Sequence, residues 1–90
     1  MLQYHIVVEG RVQGVGFRYF VQSEAEKNKL TGWVKNRMDG AVEILAEGPE
    51  ESLADFVESV QKGNRFSRVR NVTVEEAAAT ESYKNFAIAY

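Results

Sequence analysis

Gly10, Gly14 and Gly16 fall close together in Gly10-Arg11-Val12-Gln13-Gly14-Val15-Gly16, and they separate two segments of different period. Before them, Leu2, Tyr4, Ile6, Val8 and Val12 share one parity, while Gln3, His5, Glu9 and Arg11 share the other, with Val7 the apolar exception. Alternation of this kind describes a strand with one buried face. After the glycines, Phe17, Phe20, Val21 and Ala25 fall on one helical face, and Lys27 and Lys29 sit where cations suit the negative end of the helix dipole. A strand, a glycine loop and a helix in direct succession oblige the helix to fold back over the strand.

The rest of the chain must supply a sheet for that helix to cover. Residues 30–37 and 41–47 read as strands, and Asp39-Gly40 between them is a hairpin signal. A two-residue turn would put Val34 on the face opposite Val42 and Ile44. A three-residue loop, Met38-Asp39-Gly40, aligns Val34 and Asn36 with Ile44 and Val42, so we expect that loop with Gly40 left-handed. Gly48-Pro49 opens a second helix, with Glu50 and Glu51 at its positive end. Leu53, Phe56, Val57 and Val60 form its buried stripe, and Lys62-Gly63 closes it. Residues 68–76 read as a strand with Val72 and Val74 inward, and Val69 out of parity marks a bulge. Residues 83–90 read as a last strand with Phe86, Ile88 and Tyr90 on one face.

The order β-α-β-β-α-β-β predicts an α+β fold: a ferredoxin-like split βαβ sandwich, two helices on one face of a mainly antiparallel five-stranded sheet. With 90 residues, 44% of them apolar, one core over a single domain, 1–90, is expected, with no room for a large enclosed chamber. There is no cysteine, which removes disulfides, a thiol nucleophile and thiolate metal sites. A formal net charge of −2 gives no general attraction to nucleic acid or anionic membrane. No segment approaches the roughly 20 apolar residues of a membrane span, and Met1 to Glu9 does not read as a signal peptide. A cytoplasmic protein is expected.

Two residues conflict with their surroundings, as functional residues often do. Arg18 falls in the opening turn of the first helix, where the dipole disfavours a cation. The glycine loop ahead of it can present several N–H groups to one anion, and a guanidinium would add a planar fork suited to phosphate oxygens. An ordinary turn with a solvated Arg18 fits the same spacing. Asn36 is a polar residue on the inward parity of a strand, where a buried amide needs partners. A strand-end residue bonding the hairpin loop is the plainer reading. The first helix travels about 15 Å from Arg18 to Asn28, and the following strand returns about 16 Å to Asn36. Glycine loop, Arg18 and Asn36 therefore finish at one end of the domain.

No nucleophile–histidine–acid set is recognisable. His5 reads as a surface imidazole, and Glu47, Glu50, Glu51, Glu75 and Glu76 read as solvated or capping charges without metal-ligand spacing. Phosphate binding with an oriented water needs neither nucleophile nor metal. An acyl phosphate suits so small a site, because its carboxylate leaves without a general acid. Asn36, with donor and acceptor atoms, could hold the water.

The segments Gly10-Arg11-Val12-Gln13-Gly14-Val15-Gly16-Phe17-Arg18, Leu30-Thr31-Gly32-Trp33-Val34-Lys35-Asn36 and Asp39-Gly40-Ala41-Val42 together resemble the signature of the acylphosphatases. The resemblance runs essentially the full length. It implies metal-independent hydrolysis of the carboxyl–phosphate bond in small acyl phosphates, without a cofactor, giving a carboxylate and inorganic phosphate. It also implies that Arg18 binds phosphate, that Asn36 orients water, and that the backbone N–H groups of Gln13, Gly14, Val15, Gly16 and Phe17 form the phosphate cradle. In the family sheet the final strand lies at an edge. Two departures stand out. Gly63-Asn64-Arg65-Phe66-Ser67 replaces the Gly-Pro and small residue often found after the second helix, which leaves loop shape and substrate access open. Gly16, where larger residues also occur in the family, is expected to loosen the cradle slightly.

The competing reading is a noncatalytic phosphate- or RNA-binding module of the same fold. RNA binding calls for aromatics on an open sheet face within a basic surface. Tyr4 has the inward parity, Trp33 is a single outer-face candidate, and Lys35 and Arg37 make too small a basic patch. We therefore expect a monomer acting on small molecules, without nucleic-acid or membrane partners.

Overall fold

A computed structural model describes residues 1–90. The elements follow the expected order: β1 (Leu2–Arg11), α1 (Phe17–Lys27), β2 (Thr31–Asn36), β3 (Val42–Gly48), α2 (Glu50–Lys62), β4 (Arg68–Ala78) and β5 (Phe86–Ile88). The sheet order is β4-β1-β3-β2-β5. Three pairings are antiparallel and β5 runs parallel to β2, so the sheet is mixed. It is an open ferredoxin-like sheet, with β5 at an edge.

Both helices bury their stripes against the same face. Phe17, Val21 and Ala25 of α1 meet Leu53, Phe56 and Val60 of α2 over Ile6, Val8, Val34, Val42, Ile44 and Ala46. Burying a side chain of this size fully contributes about 1.5–3 kcal/mol, so the strand alternation read from sequence is what selects the register. The hairpin demonstrates this. Val34 pairs with Ile44 and Asn36 with Val42. Arg37 N–H donates to the Ala41 carbonyl at 2.8 Å, which leaves a loop of Met38-Asp39-Gly40, and Gly40 has φ 94°.

The bulge lies where Val69 broke parity. Glu9 pairs with Asn71 but Gly10 with Val69, so Arg70 is the extra residue and Val69 and Val72 both pack on the core. Val74, expected inward, is 39% exposed. The reason is its place on an edge strand, where the helical layer does not cover this part of β4. The final strand is also shorter than expected. Its ladder spans three residues rather than 83–90, because a parallel partner is available only along the middle of short β2. Phe86 is buried and Ile88 half-buried, but Tyr90 lies past the ladder and is 93% exposed.

Glu47 corrects another expectation. It is 3% exposed rather than solvated. It accepts from the Gln3 amide at 2.7 Å, the Thr80 N–H and hydroxyl at 2.8 and 2.9 Å, and the Glu81 N–H at 2.9 Å. Burial pushes this carboxyl up, but those donors outweigh it and hold it below the usual carboxylate value. His5 is half-buried on the open face, with Nε2 2.6 Å from the Glu43 carboxylate.

Candidate active site at the glycine loop

Between β1 and α1 the chain turns through residues 12–16. Gly14 and Gly16 have φ 72° and 74°, a region where side chains with Cβ are strained. Gly16 stands directly before α1, so the loop ends in the left-handed conformation as the helix begins. Alternation of this sort turns successive N–H groups toward one side. The backbone N–H groups of Gln13, Gly14, Val15 and Gly16 donate to no group of the chain. The next N–H groups, from Phe17 onward, belong to the first helical turn, whose donors have no intrahelical acceptor; Phe20 is the first to bond back, to Gly16. The glycine stretch thus collects unused donors at the positive end of a helix that has no acidic residue in its first turn.

Arg18 and Asn36 meet there. A hollow of about 110 Å³ is lined by Val12, Gly14, Gly16, Phe17, Arg18, Tyr19 and Asn36. The Arg18 guanidinium has no carboxylate partner and lies 4.9 Å from the centre of the Tyr90 ring. Asn36 is exposed rather than buried, because the end of β2 reaches past the helical cover into the hollow. Its amide bonds nothing in the chain, so the plainer reading of a strand-end residue tied to the hairpin loop is not what the fold uses it for. Asn36 and Tyr90 also border a wider, open groove of about 500 Å³ along the hairpin, with Lys35, Arg37 and Met38.

Hairpin contacts fall to other residues. The Gln13 side-chain amide donates to the carbonyls of Arg37 and Ala41 at 2.8 and 2.9 Å, stapling the loop to the strand ends that carry Asn36. Asp39 accepts from the Ala41 N–H at 3.1 Å. On the other side of the loop, the Asn64 amide donates to the Val15 carbonyl at 2.9 Å. Neither the Gln13 nor the Asn64 side-chain role left a sequence signal, since each bridges distant segments without periodicity. The pairing of Tyr90 with Arg18 was equally silent. No three His, Asp or Glu side chains gather in a way that would hold a metal ion.

Comparison with known proteins shows the family. The family model described as Acylphosphatase matches residues 4–88. A protein named acylphosphatase from Bacillus velezensis is 63% identical over 90 residues, covering 100% of each chain. The crystal structure of acylphosphatase from Bacillus subtilis superposes with a TM-score of 0.97 at 62% identity, covering 100% of both chains. An acylphosphatase structure from Coxiella burnetii gives 0.91 at 40% identity, covering 97% of this chain and 90% of that one. By sequence over its whole length and by fold, the chain belongs to the acylphosphatase family.

Proposed function

We propose that the protein hydrolyses the carboxyl–phosphate bond of small acyl phosphates at the glycine loop. The observation that carries the proposal is a loop whose N–H groups from Gln13 to Gly16 are unused, with Gly14 and Gly16 lining one hollow together with an unpaired guanidinium and an unbonded amide. In this mechanism those N–H groups, with Phe17 at the helix start, hold the phosphoryl oxygens, and Arg18 spans two of them. Asn36 orients a water in line with the leaving carboxylate. Water oxygen bonds to phosphorus as the phosphorus–carboxylate oxygen bond breaks; the electron pair leaves with the carboxylate, and both water protons remain on the product as dihydrogen phosphate, which then exchanges one with solvent. The loop and Arg18 offset charge on the equatorial oxygens, the kind of contribution worth about 10²–10³ in rate for one well-aimed donor. No cofactor or metal takes part.

The acyl arm would lie toward the open hairpin groove beyond Asn36, whose width sets no demand for one acyl group. On this reading residues 1–90 work as one domain, a cytoplasmic monomer acting on small acyl phosphates, with inorganic phosphate as product and without nucleic acid. Family membership favours hydrolysis over a noncatalytic binding module. Benzoyl phosphate hydrolysis in the presence of a chelator tests the proposal. Turnover well above background, with inorganic phosphate as a competitive inhibitor, is expected. Absence of turnover defeats the enzyme reading, and noncompetitive phosphate defeats the loop as the substrate site.

A further inference from the structure

We infer that Asn64 is a positioning residue for the phosphate loop: it fixes the direction of the Val15–Gly16 peptide and so keeps the Gly16 N–H turned into the hollow. The inference rests on the proposed role of that loop. In a planar trans peptide the carbonyl of one residue and the N–H of the next point in opposite directions. The Asn64 Nδ2–H group donates to the Val15 carbonyl at 2.9 Å, from the side of the turn that follows α2. Holding that oxygen therefore holds the Gly16 N–H on the opposite side.

The peptide needs such a hold. Gly14 and Gly16 flank this stretch with φ 72° and 74°, and glycine crosses between backbone regions at little steric cost. A flipped Val15–Gly16 peptide would aim a carbonyl at a bound anion and withdraw one donor. Asn64 is itself well placed to resist this. Its N–H donates to the Ser67 hydroxyl at 2.9 Å, and that hydroxyl donates back to the Asn64 carbonyl at 3.1 Å, so the Asn64 backbone is locked into a short turn. The Asn64 Oδ1 atom is buried and has no hydrogen-bond partner. The bond to the Val15 carbonyl is thus the one hydrogen bond the Asn64 side chain makes.

The test compares Asn64→Ala, Asn64→Leu and Ser67→Ala by calorimetric titration with inorganic phosphate and by steady-state kinetics with benzoyl phosphate. A loop that spends most of its time flipped binds more weakly in proportion to the competent fraction. Both Asn64 variants should raise the phosphate Kd and the KM together by about 5-fold, with kcat within about twofold, since saturating substrate restores the competent loop. Asn64→Leu keeps the approximate shape and removes the donor without adding a charge beside the anion site, so it decides the matter if the alanine variant folds poorly. Ser67→Ala loosens the same turn but leaves the Asn64 donor to Val15 in place; it should lower the melting temperature and raise Kd and KM by clearly less than the Asn64 variants do. Unchanged phosphate affinity in folded Asn64 variants overturns the inference, as does an equal shift in Ser67→Ala. Phosphate binding needs no turnover, so a native protein that binds phosphate but hydrolyses nothing defeats the enzyme reading alone. One that binds no phosphate defeats both.

Discussion

At the end of the sheet where β1 begins and β3 finishes, backbone N–H groups of Thr80 and Glu81 close on the Glu47 carboxylate, joined by the Gln3 amide. At the opposite end, the N–H groups of Gln13 to Gly16 have no acceptor in the chain, and Gly14 and Gly16 share a hollow with Arg18, whose guanidinium has no carboxylate partner. Both regions bring main-chain donors together. One holds an anion that is part of the chain; under the proposed function the other takes an anion that is not. On that reading the difference separates two jobs, with stability concentrated where the anion is built in and chemistry where it arrives from outside.

Substitutions at the two ends should therefore have opposite signatures. The largest effect is expected at the open end: Arg18→Ala and Asn36→Ala should each lower kcat/KM for benzoyl phosphate by about 10³-fold, with melting temperatures close to native. Arg18→Lys should recover little, because an ammonium cannot span two phosphoryl oxygens in a planar fork. Near-native turnover in either alanine variant, measured on protein shown by circular dichroism to be folded, would break the comparison at its functional end.

Glu47→Gln should show the reverse. Losing the charge acceptor of several buried donors should cost about 2–3 kcal/mol in urea unfolding at pH 7, while the folded fraction keeps native kcat and KM. The pH dependence sharpens this. Glu47 in the folded protein titrates below its ordinary value of 4.5, since its donors outweigh the effect of burial. A depressed carboxyl contributes stability that is complete above the unfolded value and disappears as pH falls through the folded one. The gap between native and Glu47→Gln should thus be constant from pH 7 to about 5.5 and narrow below 4.5. A gap that stays constant down to pH 3 would show that the charge is not what the Thr80 and Glu81 amides hold.

Gln13→Ala should give the smallest effect, about 1–2 kcal/mol of stability for two hydrogen bonds and a rise of a few-fold in KM. Unlike the substitutions at Arg18, Asn36 and Glu47, it is expected to move both quantities, because Gln13 joins the loop to the hairpin. A change in stability with KM untouched would show that the loop keeps its shape without the staple.

The open end of this contrast is legible in the sequence, and the Glu47 end is not. The requirement for one apolar sheet face was enough to choose the three-residue hairpin loop and hence the pairing of Asn36 with Val42. Helix and strand lengths alone brought Arg18 and Asn36 to the same end. What periodicity could not convey were contacts between segments that share no pattern. Glu47 looks solvated in sequence because nothing there says that residues 79–81 cross over it. Gln13 and Asn64 read as loop amides, yet each bonds a carbonyl far away in the chain. Val74 obeys the strand parity of a buried residue but lies on an edge the helices leave uncovered. Alternation identifies which face a side chain takes, and the packing of the neighbouring layer decides whether that face is dry.

The most direct test of the contrast is a titration of the isotopically labelled protein with inorganic phosphate, followed by the amide resonances of every residue. Saturable shifts should centre on the N–H groups of Gln13 to Phe17, with the Arg18 and Asn36 side chains responding and Thr80 and Glu81 unmoved. Saturation centred anywhere else, or no response in the glycine loop at concentrations that inhibit turnover, would contradict the account.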